Sequence, residues 1–135
     1  MPDFTFETTI EPQFRDIDPF GHVNQAVYCS YLEQARTNYW AEIVGIRHDR
    51  TPVAIATQEI EYERPIQLGE TVTVAQTITG MGESSFDIEY AIRADGTVAA
   101  TAHVVLIAFD PETETAIPIP EDWRTPIAEH EGLAD

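Results

Sequence analysis

The chain has 135 residues, and its 24 Asp and Glu against 7 Lys and Arg give a formal net charge of -17. That is the length of one domain with a core of its own, and with no cationic stripe, binding to nucleic acid through a basic patch is disfavoured. All the basic residues are Arg and none is Lys, the balance of a chain that repels itself at low salt and stays soluble at high salt, so a halophile's cytoplasmic protein is expected.

Met1-Pro2-Asp3-Phe4 has neither the basic nor the apolar segment of a signal peptide, so none is expected. Phe4, Phe6 and Thr8 alternate with polar residues and predict a first strand running to about Phe14. Asp16 to Gly21 is turn chemistry, with Pro19 and Gly21 close together. Asn24 is a good helix cap. Apolar residues then recur at Tyr28, Tyr31, Leu32, Ala35, Tyr39 and Ile43, one face of a long amphipathic helix that Gly45 stops. Glu33 and Arg36, three apart, are placed to pair along it. Cys29, the single cysteine, permits no intrachain disulfide.

The rest reads as strands. Val53 to Arg64 is rich in strand formers, but its apolar parity shifts between Ile55 and Ile60, which predicts a bulge. Val72, Val74 and Ile78 share one face; Phe86, Ile88, Tyr90 and Ile92 share another. Met81-Gly82-Glu83 and Ala94-Asp95-Gly96 are the turns on either side of that second strand. Val98 to Phe109 is apolar on both faces, as a central strand should be, and its longest apolar run, Val104 to Phe109, is far too short to span a bilayer. The Pro-rich segment from Ile117 to Pro126 reads as extended or loosely helical. One helix against one antiparallel sheet leaves the other sheet face and the edges uncovered, which argues for an oligomer.

The string Asp16-x-Asp18-x-x-Gly21-His22-Val23-Asn24, followed by Tyr28-x-x-Tyr31-x-Glu33-x-Ala35-Arg36, resembles the hotdog-fold acyl-CoA thioesterases of the 4-hydroxybenzoyl-CoA thioesterase type. Tyr62-x-x-Pro65-x-x-x-Gly69-Glu70 and Gly82-Glu83-Ser84-Ser85-Phe86 extend the resemblance from about Phe4 to Pro120. It implies an α+β hotdog fold, one long helix packed on a five-stranded antiparallel sheet. Residues 1–135 would form a single domain, with 117–135 as an extended C-terminal tail. The implied reaction is hydrolysis of an acyl-CoA to a free acid and coenzyme A. The implied assembly is a homodimer or homotetramer with active sites at the dimer interface. No metal and no bound redox cofactor is implied.

The resemblance makes Asp18 the catalytic carboxylate, as nucleophile or as general base for water. Backbone amides at the helix start, around His22, Val23, Asn24 and Gln25, would polarise the thioester carbonyl. The physics supports that pairing: a helix start offers unbonded N–H donors and the positive end of a dipole, and a nearby carboxylate can attack or deprotonate water. Glu33 is the competing carboxylate, since some hotdog thioesterases use one on the helix. Tyr28, Tyr31, Ser84 and Ser85 are the expected substrate contacts. Phe14 and Gln25 stand where some family members carry Tyr and His, and Gly82-Glu83 stands where basic side chains often hold coenzyme A phosphates, leaving Arg64 and Arg93 as the substitutes. His48, His103 and His130 are scattered, and no His/Cys cluster or calcium-loop spacing accompanies the Asp16–Asp18 pair. Two further classes fit the same residues: an acyl-CoA-binding hotdog domain without turnover, and a thioesterase acting on acyl carrier protein.

Overall fold

The computed structural model describes residues 2–46 and 52–134, so His48 lies outside the described residues. Strand β1 (Phe6–Ile10) and a single 3-10 turn (Phe14–Asp16) precede helix α1 (Gln25–Tyr39), which runs on into a π-helical turn (Trp40–Val44). Four long strands follow: β2 (Val53–Tyr62), β3 (Val72–Met81), β4 (Ser85–Ala94) and β5 (Thr97–Asp110). The two-residue β6 (Thr115–Ala116) and helix α2 (Glu121–Glu131) close the chain. The five longer strands form one antiparallel sheet in the order β1-β3-β4-β5-β2, with β6 paired to β5.

Helix α1 forms where its pattern demands. The Asn24 side chain accepts from the Ala26 amide, and Gly45, at φ 81°, ends the helical run. Its buried residues, Tyr28, Tyr31, Leu32, Ala35, Arg36 and Tyr39, make one stripe. That stripe meets the inward faces of the strands: Val72, Val74 and Ile78 of β3, Phe86, Ile88, Tyr90 and Ile92 of β4, and Ala100, Ala102, Val104 and Leu106 of β5. Each large side chain buried there contributes on the order of 1.5–3 kcal/mol before entropy is counted. The expected α+β hotdog architecture is therefore present, a long helix wrapped by an antiparallel sheet.

The predicted bulge in β2 is present as well. Register jumps between Ile55 and Thr57, leaving Ala56 as the extra residue. Val53 and Ile55 oppose Ala108 and Leu106, and beyond the bulge Gln58, Ile60 and Tyr62 oppose Val104, Ala102 and Ala100. All of those β5 partners are buried, so both halves of β2 turn their cores inward although their numbering changes parity.

Three expectations are corrected. The first strand ends at Ile10, not near Phe14, because Pro12 has no N–H to give a ladder and Phe14 turns into the 3-10 segment, 82% exposed. The 117–135 segment is not an extended tail: it carries α2, whose Trp123, Ile127 and Ala128 are buried. Pro126 within that helix masks the pattern in the sequence, while Glu121 and Asp122 in the first turn and Gly132 at the end mark it. Glu131 fastens α2 to the sheet, its carboxylate accepting from Thr5 Oγ1 (2.7 Å), Tyr39 Oη (2.6 Å), Thr77 Oγ1 (2.8 Å) and the Ile78 amide (3.0 Å). Finally, Arg36 turns inward to donate to Tyr90 Oη (3.2 Å) and makes no ion pair with Glu33.

Candidate active site

Residues 17 to 23 form a tight loop between the 3-10 turn and α1. Ile17 and Val23 bridge across its base, and the Gly21 amide donates to the Asp18 carbonyl (3.0 Å) with Gly21 at φ 84°, a conformation glycine adopts without strain. The Asp18 carboxylate takes part in the turn: Oδ1 accepts from the Phe20 amide (2.9 Å) and, at longer range, from the His22 amide (3.4 Å). Its Oδ2 has no hydrogen-bond partner among the described residues. The turn reading and the catalytic reading of Asp18 are therefore compatible, one oxygen ordering the loop and the other left over. Val23 N–H donating to the buried Ile66 carbonyl (2.7 Å) and the His22–Gln67 bridge pin this loop to the segment after β2.

Asp16 does different work. Its Oδ2 accepts from the Gln13 amide (2.8 Å) and from Tyr31 Oη (2.9 Å), and its carbonyl accepts the Asn24 amide (2.8 Å). Burial, then the bond to Asp16, raises the pKa of the Tyr31 phenol, so Tyr31 is a fixed donor that holds the loop to the helix.

The helix start sorts its amides. Val23 N–H is taken by Ile66, Asn24 N–H by Asp16, Ala26 N–H by the Asn24 side chain, and Val27 N–H by the Asn24 carbonyl. Gln25 N–H alone among these has no acceptor among the described residues. Of the amides expected around residues 22 to 25, the free donor at the positive end of α1 is therefore that of Gln25.

Asp18, His22, Val23, Asn24, Gln25 and Tyr28 line one cleft of about 570 Å³ with Phe20, Tyr62, Glu63, Arg64 and Pro65. Tyr28 and Tyr62 meet edge to face at 5.0 Å, and Tyr62 Oη donates to the Gln25 carbonyl (3.3 Å). Arg64 is the one basic side chain on this wall, yet it is engaged by Glu70 at 2.7 Å and by the Ala94 carbonyl at 2.8 Å. That ion pair, with the Gln67 amide, holds the Glu70 carboxyl below its ordinary range.

The other expected residues lie elsewhere. Tyr31 faces a separate groove with Ile10, Arg15 and Asp16. Ser85 opposes Ile107, whereas Tyr62 opposes Ala100, so the serines sit about 23 Å of strand from the cleft. Arg93 is paired with Glu7 (3.3 Å) and lies over the Phe4 ring. Glu33 is exposed and lines a second cavity of about 400 Å³, with Arg36, Thr37, Trp40, Val53, Ala54, Ile55 and Leu106. Phe20 is the residue that sequence reasoning missed; it is 84% exposed at the cleft mouth, and its place between Pro19 and Gly21 in the turn was the available signal. Among the described residues, no group of three or more His, Cys, Asp or Glu side chains is placed to hold a metal.

Comparison with known proteins adds the following. The thioesterase-like superfamily matches residues 12–127. A thioesterase from Thermus thermophilus, solved in complex with coenzyme A and Zn, is 36% identical, with a TM-score of 0.89 and 100% of both chains covered. A predicted thioesterase from Bacillus stearothermophilus is 27% identical, with a TM-score of 0.85 over 96% of this chain and 98% of that one. The 1,4-dihydroxy-2-naphthoyl-CoA hydrolase of Synechococcus elongatus is 28% identical over 132 residues, 91% of this chain and 96% of its own.

Proposed function

This chain belongs to the thioesterase-like superfamily, and from that premise we propose that it hydrolyses an acyl-CoA thioester to a free acid and coenzyme A in the Asp18 cleft. One observation carries the reading: a carboxylate with an uncommitted oxygen and a helix-start amide with an uncommitted hydrogen line the same cleft. The thioester carbonyl oxygen accepts from Gln25 N–H, where the α1 dipole favours negative charge. Asp18 Oδ2 then attacks the carbonyl carbon or takes a proton from the water that does. Negative charge gathers on the carbonyl oxygen as the new bond forms, and the Gln25 donor strengthens as it gathers, which is what lowers the barrier. Collapse expels the coenzyme A thiolate, which recovers a proton; water, directly or through an acyl-Asp18 ester, supplies the second carboxylate oxygen. Tyr28 and Tyr62 supply an apolar wall for the thioester, and Asn24 and Tyr31 hold loop and helix in register.

A homodimer completes the site. Strand β2 is an edge of the sheet, and antiparallel pairing with its own copy satisfies the exposed backbone groups through a two-fold axis. Light scattering of a dimer mass supports this; a monomer that turns over at the dimer's rate removes it.

Thiol release from a panel of aliphatic and aromatic acyl-CoAs tests the activity, with wild type compared to Asp18→Asn. The expected result is turnover by wild type and a fall of about a hundredfold or more in a variant with an unchanged circular dichroism spectrum. A folded Asp18→Asn with full activity returns Asp18 to a turn residue and makes Glu33 the next carboxylate to change. Wild type that binds these esters without cleaving them leaves an acyl-CoA-binding domain.

A further inference from the structure

The second cavity holds a buried cation that the reaction above does not use. Arg36 is 6% exposed, and its one hydrogen-bond acceptor among the described residues is the Tyr90 phenol at 3.2 Å. Burial keeps that phenol neutral, its pKa pushed up to about 12. No carboxylate lies within 4.0 Å of the guanidinium among the described residues. A buried guanidinium is ordinarily paired, because its desolvation is costly unless an anion repays it. Among the described residues the guanidinium keeps four unbonded N–H donors, and Arg36 lines a cavity of about 400 Å³ with the polar Glu33 and Thr37 and the apolar Trp40, Val53, Ala54, Ile55 and Leu106. Apolar walls and a buried cation lining one cavity fit a hydrocarbon chain that ends in a carboxylate.

The place of this cavity on β2 gives it a partner. Val53 to Ile55 at the start of the strand line the Arg36 cavity, and Tyr62 at its end lines the Asp18 cleft. Within one copy the two lie far apart, since Arg36 is eleven residues beyond Gln25, or about 16 Å along the helix. Antiparallel pairing of β2 with its copy sets the start of one strand beside the end of the other. The Arg36 cavity of one copy then adjoins the Asp18 cleft of the other. We propose that Arg36 is the specificity residue for acyl groups whose far end carries a carboxylate, and that it serves the Asp18 of the second copy. The inference rests on the dimeric thioesterase reading above. Glu33, exposed on the same wall, opposes the incoming acid and weakens the preference without abolishing it.

The test compares kcat/KM for adipyl-, suberyl- and sebacyl-CoA with that for hexanoyl-, octanoyl- and decanoyl-CoA. The expected wild-type ratio at matched length is roughly tenfold or more in favour of the acid, the worth of one charge-assisted hydrogen bond. In Arg36→Met the ratio collapses, and in Arg36→Lys part of it returns; a purely structural role lowers both members of each pair and leaves the ratio alone. If Arg36→Met does not fold, Ile55→Asp puts a carboxylate on the half-exposed wall of the same cavity and is expected to erase the ratio. A wild-type ratio near one, or a ratio that survives in a folded variant, overturns the proposal. Calorimetry with the same esters on Asp18→Asn reads the preference as a Kd ratio, so absent turnover sinks the thioesterase reading alone, while absent preference sinks this one. Free coenzyme A is the control: if Arg36→Met weakens it as much as suberyl-CoA, the guanidinium serves a phosphate and the proposal falls. Mixing Arg36→Met with Asp18→Asn subunits restores suberyl-CoA turnover if Arg36 works across the interface; no restoration overturns that assignment.

Discussion

Asp16 and Asp18 are separated only by Ile17, yet their surroundings give them different loads. Asp16 spends its carboxylate on the Gln13 amide and the Tyr31 hydroxyl, while Asp18 keeps an oxygen for the cleft. Replacing Tyr31 by Phe is therefore expected to cost about 1 kcal/mol of stability in urea titrations, with Asp18 still in place but less well positioned. Phenols also set an alkaline limit. Burial raises the pKa values of Tyr31, Tyr39 and Tyr90 above the ordinary 10.0, with the Asp16 and Glu131 carboxylates adding to the first two. Each folded pKa is raised, so the contribution is whole below about pH 10 and is lost as the pH climbs toward and beyond about 12. Melting temperatures measured between those values are expected to fall steeply, and Tyr39→Phe to flatten part of the fall. At this scale the sequence showed a turn with two carboxylates around Pro and Gly beside a helix cap, while the choice of Asp18 between them came from the family resemblance. It could not say which helix-start amide is free. That depends on the Ile66 carbonyl, brought to Val23 from more than forty residues away, and on Asp16 claiming Asn24.

At the scale of elements, the long helix and the strands from β3 to β5 were legible because each buries a single face with the period of its own backbone. The bulge in β2 was legible for the same reason, as a break in that period. Helix α2 was not, since Pro126 interrupts the pattern and the apolar stripe is only Trp123, Ile127 and Ala128. What fixes this helix is tertiary. Trp123 stacks near Trp40 (5.0 Å) and Phe86 (6.2 Å), and the Glu131 carboxylate gathers donors from α1, β3 and the residue before β1. Trp123→Ala is expected to destabilise the protein by about 3–5 kcal/mol, read from chemical denaturation, because it empties an aromatic cluster that joins α2 to the core.

For the whole molecule, a net charge of -17 with no Lys means that folding concentrates like charges. The outer sheet face shows it: Glu59 and Glu89 flank His103 directly across β2, β5 and β4, with Glu61 and Asp87 nearby. Added KCl screens that repulsion, so melting temperature is expected to rise from low to molar salt, and we propose high salt as the working medium. A flat or falling melting curve would count against that assignment. The same salt weakens exposed ion pairs such as Arg93–Glu7 far more than any contact to the buried Arg36. A cleft lined by helix-start amides and the Tyr28 and Tyr62 rings suits such a medium better than one built on surface lysines.

The extra residue in β2 also bears on which length changes the chain can survive. Insertions and deletions inside a paired strand are normally ruinous, because each sends every later side chain to the opposite face. At Ala56 the rule inverts. Without that codon, Ile55, Thr57 and Gln58 would follow one another in plain alternation, inward, outward, inward, with their β5 partners unchanged. The strand would lose its bulge and keep its faces, so deleting Ala56 is expected to be tolerated in the middle of this edge strand, between the two ends that line the cleft and the cavity.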